Sequence, residues 1–204
     1  MVTNLSQLMT ATCGGDARVE SRSHQIVLAI TALFAGLALS SLWGLAAGST
    51  SAELAIANAY KVPMVIFLSA LTALPAGLLT LRLTNATLPA HKLVGAFATS
   101  IFGGTLVLAT LSPLVAIYFH TSSMAGLPLV LGSVFVALAT ASLLFGRAVA
   151  RQVAADPKRR ASLVAVGVLV ALYVAALLQF VAMASPIVAA ATPFSGGFDT
   201  VFGQ

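Results

Sequence analysis

The residues able to do chemistry lie almost entirely outside the apolar runs of this 204-residue chain. Within those runs there is no Asp, Glu, Lys or Arg except Arg82, which stands at the end of one of them. Proton-coupled transporters and charge-selective channels place such groups at mid-depth. A His-Glu-x-x-His motif, a paired intramembrane carboxylate and a Walker-type phosphate loop are all missing from the sequence. The glycine pairs at 14–15, 103–104 and 196–197 follow no strand pattern and make no nucleotide fingerprint. Cys13 is alone, so there is neither a disulfide framework nor a thiolate metal site. Three polar features remain. His120 has no acidic neighbour and reads as a solvated interfacial imidazole rather than a proton relay. Glu53 and Lys61 have the spacing of one helix face, but read as two separately solvated charges. Gln179 is a lone amide in an apolar run, the type of group that hydrogen-bonds between helices in lipid. These residues predict no catalytic site, no cofactor and no metal.

The elements that carry them are set by composition. The chain is 59% hydrophobic and 7% charged, against about 25% charged in a soluble domain. Lipid must therefore be the solvent for most of it. The expected fold is all-α: a polytopic integral membrane protein of five transmembrane helices with proline kinks. The expected spans are residues 25–48, 62–83, 93–119, 127–145 and 161–184. Residues 1–24 form a polar N-terminal tail, mobile or lying on the surface. Residues 25–191 form the membrane domain, and 192–204 a C-terminal tail whose phenylalanines dip into the interface. A signal peptide cleaved near Leu45-Ala-Ala-Gly is the competing reading of the first run. That run exceeds the 7–15 residues of a signal-peptide core, which favours a retained span.

Local signals place contacts and bends. Gly36, Ser40, Gly44 and Gly48 recur every fourth position, as do Gly167, Ala171 and Ala175. Each set makes a shallow helical stripe that lets another helix approach closely. Thr50 and Glu53 have capping-box spacing. They predict a helix starting near Ser51 as an interfacial piece that kinks at Pro63 into the second span. Pro75 and Pro113 predict further kinks, and Pro186 one near the end of the fifth span. Pro75 frees the carbonyl of Leu71, for which Ser69 and Thr72 are the local hydroxyl donors. Gly103-Gly104 predicts a flexible centre in the third span. Asp156-Pro157 predicts an N-cap and first position for the fifth helix.

The net charge of +5 reads as topology rather than as nucleic-acid binding. With five spans and a cytoplasmic N-terminus, all ten Lys and Arg residues but Lys61 fall on the cytoplasmic side. This is a strong positive-inside pattern, and it predicts an extracytoplasmic C-terminus; the bacterial inner membrane is the location that the resemblance given below implies. Lys61, Arg147, Arg151, Lys158, Arg159 and Arg160 are the expected lipid-headgroup contacts, the cluster contributing about 1 kcal/mol per cation at an anionic surface.

Three patterns carry a family resemblance: Trp43-Gly44-x-x-x-Gly48, Lys61-Val62-Pro63-Met64 with Leu74-Pro75, and Gln179 followed by Pro186. Over roughly residues 40–190 the chain resembles an uncharacterised family of small bacterial multispan membrane proteins, and in its five-span plan the Yip1-type membrane domain. It departs from the pattern at Ala182 and Ser185. The resemblance implies an architecture and a membrane-organising or complex-forming role, not a reaction. The expected function is a non-enzymatic membrane scaffold or accessory subunit of a membrane complex. Its partners would be membrane lipids and a second copy or other membrane subunits, with no nucleic acid. The alternative is a transporter or permease subunit for an apolar or lipid-like substrate.

Overall fold

The computed structural model describes residues 6–10, 22–121, 126–154 and 158–187. It contains five long helices: α1 (Arg22–Ala47), α2 (Ala52–Leu83), α3 (Ala90–Thr121), α4 (Gly126–Val153) and α5 (Arg159–Ala184). All five are long and apolar enough to cross a membrane. Large apolar side chains such as Phe34, Leu83, Phe135 and Met183 stand on the outside, as in a protein that faces lipid. The chain is an all-helical, multi-pass membrane protein.

The helices are longer than the expected spans. α2 has 32 residues, about 48 Å at 1.5 Å per residue. It begins at Ala52, with Ser51 rather than Thr50 as the N-cap; the Ser51 hydroxyl accepts from the Leu54 N–H at 3.2 Å. It then runs through Pro63 as one helix, so the interfacial piece and the span form a single element. Pro75 and Pro113 likewise lie inside continuous helices. Pro186 lies beyond the end of α5, where it follows the cap residue Ser185. Neither expected hydroxyl serves the Leu71 carbonyl. Thr72 donates to Leu68 O at 2.8 Å and Ser69 to Val65 O at 2.6 Å, each reaching back one turn along its own helix. Gly103-Gly104 does not interrupt α3. α4 continues past residue 145 to Val153 and carries Arg147 and Arg151 on its last turns. α5 starts at Arg159, and the expected cap Asp156-Pro157 lies outside the described residues. So do Cys13 and the tail from residue 188. Within the N-terminal stretch, residues 6–10 are helical. Leu8 is fully buried among Leu28, Ala32, Ala98 and Phe102, and His24 Nε2 lies 2.8 Å from Gln7 Oε1. This piece packs on the bundle instead of trailing from it.

The packing order differs from the chain order. α1 packs against both α2 and α3, α4 packs on the far side of α3, and α5 on the far side of α2. The consecutive pairs α2–α3 and α4–α5 scarcely touch. Spatially the helices run α5, α2, α1, α3, α4, an open arc with α1 at its back.

Close approach explains the arc. The stripe on α1 serves two partners. A Cβ at Gly36 would meet the Thr105 side chain of α3 at 3.1 Å, whereas one at Gly48 would lie 2.6 Å from Ala55 Cα of α2. Gly44 abuts the Asn58 carbonyl of α2, and Ser40 is fully buried between them in sequence. Gly104 faces Ala137 and Ala141 of α4, and Gly77 faces Leu169 of α5. Each major helix pair thus has a glycine at its contact, and at Gly44, Gly48 and Gly104 the atoms a Cβ would meet include partner backbone, so a side chain there would push the helices apart. The second stripe is placed differently. Gly167, Ala171 and Ala175 are exposed, and no atom of the described residues lies within 4 Å of a Cβ at Gly167.

Candidate functional site

The open arc encloses a cleft. Its floor is Trp43 of α1, its walls are Val62, Val65 and Ile66 of α2 with Leu177 and Val181 of α5 on one side, and α3 with α4 on the other. Its volume is about 160 Å³. Residues of α4 (Val130–Ala141) and of α5 (Tyr173–Val181) face each other across it, and these are the two helices that do not close on one another.

One end of the cleft is shut. Phe97 of α3 meets Phe145 of α4 edge-on at 5.7 Å and Tyr173 of α5 at 5.2 Å, near a perpendicular arrangement. Beyond this cluster the core is filled by Leu81, Leu93, Val149, Val153, Ala165 and Leu169. The α2–α3 and α4–α5 connections lie at this end and are tied together by Lys158 Nζ, which donates to Asn85 O at 3.0 Å. Asn85 takes the left-handed conformation, φ 49°, that turns the chain there. Exposed Arg82, Lys92, Arg147, Arg151, Arg159 and Arg160 surround it.

α5 fully buries only Ser162, Ala165 and Leu169, all in its first half, while Tyr173 and Leu177 in its second half are partly buried against the core. A polar clasp holds its tip. Asn58 of α2 is fully buried and donates through Nδ2 to Ile187 O at 2.5 Å. Lys61 Nζ donates to Pro186 O at 3.3 Å. Lys61 therefore turns to the end of α5 rather than to Glu53. The Asn58 Oδ1 atom is buried and has no donor among the described residues. On the opposite wall, Trp43 Nε1 donates to Ser133 Oγ at 3.0 Å, and Ser133 in turn donates to Val130 O at 2.7 Å. This relay satisfies the indole N–H in an apolar setting, where an unpaired donor is costly.

The residues singled out in the sequence divide accordingly. Gly36, Ser40, Gly44 and Gly48 are brought into the bundle, and Trp43 beside them reaches the cleft. Gln179 is exposed and its amide makes no hydrogen bond with the described residues, in contrast to the interhelical role expected of it. It continues the outer line of Gly167, Ala171 and Ala175, whereas Tyr173, Leu177 and Val181 form the opposite, cleft-facing line of α5. His120 is exposed at the end of α3. Sequence reasoning missed Asn58. Its signal was present: it is an amide between apolar neighbours three residues before Lys61, on the turn that Gly44 must approach. Among the described residues no group of three His, Cys, Asp or Glu side chains could hold a metal. Comparison of the chain with protein-family models, curated proteins and solved structures returned no match.

Proposed function

We propose that the protein acts by association within the membrane, as a non-enzymatic scaffold or accessory subunit of a membrane complex, rather than by turnover. The observation that carries this reading is α5. Its second half packs only partly on its own chain, through Tyr173 and Leu177, and it presents Gly167, Ala171, Ala175 and Gln179 in register on the outside. Lipid tails give little drive for helix association, so close packing and interhelical hydrogen bonds must supply it. A bare line of small residues ending in an amide offers both to a neighbouring chain. Crosslinking in native membranes, followed by extraction in mild detergent and mass measurement, is expected to give a species heavier than one chain. A strictly monomeric species, with saturable solute uptake into proteoliposomes holding only this chain, would falsify the scaffold reading. That outcome would promote the second reading, a permease subunit for an apolar or lipid-like substrate, which the apolar cleft favours.

The same proposal includes an orientation in the bacterial inner membrane. The exposed cations gathered at the closed end are taken as cytoplasmic and Lys61 as near the other leaflet. In a Cys13→Ser background, intact cells treated with an impermeant thiol reagent should label Asp199→Cys and leave Arg159→Cys unlabelled. The reverse pattern would invert the topology and remove the cytoplasmic assignment.

A further inference from the structure

We propose that the cleft takes part of one acyl chain of an anionic phospholipid, drawn from the leaflet at the Lys61 end, with its phosphate, which no cation of the same headgroup neutralises, held at Lys61. Three observations meet there.

The first is the chemistry of the walls. The cleft is lined by all five helices, almost wholly with aliphatic and aromatic carbon. A water molecule needs two to four polar partners to stay. The Thr105 hydroxyl is already donated to Phe102 O and the Ser133 hydroxyl to Val130 O. An apolar cavity of about 150 Å³ in another protein stays dry and takes up benzene. A cleft of about 160 Å³ here suits a short stretch of methylenes.

The second is access. α4 and α5 scarcely touch, and the walls facing each other across their seam are apolar. In a membrane-spanning bundle such a seam faces the hydrocarbon of the bilayer, so the molecules at its mouth are lipid tails. A chain entering sideways would fill the space between Val134 of α4 and Leu177 of α5 and bridge two helices that scarcely touch.

The third is charge. Lys61 is adjacent to Val62, and its acceptor Pro186 is adjacent to Ile187; Val62 and Ile187 both line the cleft. It is the one Lys or Arg at that end of the bundle among the described residues. An ammonium has three N–H donors. One reaches Pro186 O at the long distance of 3.3 Å, which leaves donors for a phosphate oxygen. The site does not depend on whether α5 meets a second chain, because its outer line faces the other way.

Trp43 reports on the site. It is the sole tryptophan of the chain, it forms the cleft floor, and it is 4% exposed. The full-length protein is reconstituted in vesicles of phosphatidylglycerol or phosphatidylcholine carrying the same brominated chains, and bromine quenching of Trp43 is read. Quenching should be about twofold stronger in phosphatidylglycerol and relieved by excess unbrominated phosphatidylglycerol but not by unbrominated phosphatidylcholine. Val134→Phe and Leu177→Phe, which fill the cleft from opposite walls, should each remove most of it. Lys61→Gln should erase the headgroup difference. Phe135→Leu, on the outer face of α4, should change nothing. Equal quenching in both lipids that survives both filling substitutions would overturn the proposal, since it would come from bulk lipid. If the filling variants lose helical content, the wild-type competition decides alone: relief by phosphatidylcholine equal to that by phosphatidylglycerol overturns it. The chain-mass measurement tests association separately, so either idea can fail without the other.

Discussion

Gly44→Leu is expected to lower the melting temperature in detergent more than any other single substitution on α1. A Cβ at this position would already lie 2.8 Å from the carbonyl carbon of Asn58 and 3.3 Å from the Ala59 nitrogen, with the Asn58 oxygen nearer still. The obstacle is backbone, which cannot swing aside as a side chain can. Inserting a larger side chain into a packed contact costs about 1–3 kcal/mol when neighbours can adjust. Here α1 and α2 must separate as rigid helices, so the upper end of that range applies. At about 2–4 °C per kcal/mol for a chain of this size, the shift is roughly 10 °C. Leu45→Ala is the matched control. Leu45 is 40% exposed, and trimming it should move the melting temperature by much less. Equal shifts for the two variants would mean that the α1–α2 contact does not hold the bundle together.

The second large effect is at Asn58. Asn58→Leu keeps the approximate volume but removes the donor to Ile187 O, leaving that carbonyl without its clasp. Losing one partner of a buried hydrogen bond costs about 1–3 kcal/mol. Part of this is returned, because the undonated Oδ1 atom disappears with the amide. Asn58→Asp lacks that compensation. At neutral pH it sets a carboxylate against a carbonyl, two acceptors facing each other in a buried place. The order of melting temperatures should be wild type, then Asn58→Leu, then Asn58→Asp. Spin labels on residue 60 of α2 and residue 183 of α5 should also report a broader distance distribution in both variants. An unchanged distribution would show that the tip of α5 is held by something other than this clasp.

How far these features could be read from the sequence depends on their physical scale. The five spans were legible because hydrophobicity sums over twenty residues, and no local detail can hide it. Gly44 and Gly48 were legible as contacts because a four-residue period of small residues has one structural use on a helix. What the period could not say is that Gly36 would face α3 while Gly44 and Gly48 face α2. A stripe wraps slowly around a helix, and the choice of partner is made by the other surfaces. Gly104 and Gly77 have no period, so they read as flexibility or as nothing. Only the positions of Ala137 and Leu169 reveal them as contacts. Proline rules marked positions 63, 75 and 113, and all three prolines lie inside continuous helices, since a membrane helix tolerates the missing hydrogen bond. The cleft was illegible altogether. It arises from which helices fail to touch, and no residue type marks that.

The order of helices in the arc also has a bearing on how the chain is made. α1, α2 and α3 share their contacts around α1, and all three emerge before α4 and α5 during synthesis. α4 then packs mainly on α3, and α5 mainly on α2, so each can add to a surface already formed by that seed. Biogenesis can thus proceed by accretion on a three-helix seed, and a chain that stops before residue 159 would keep every contact of that seed.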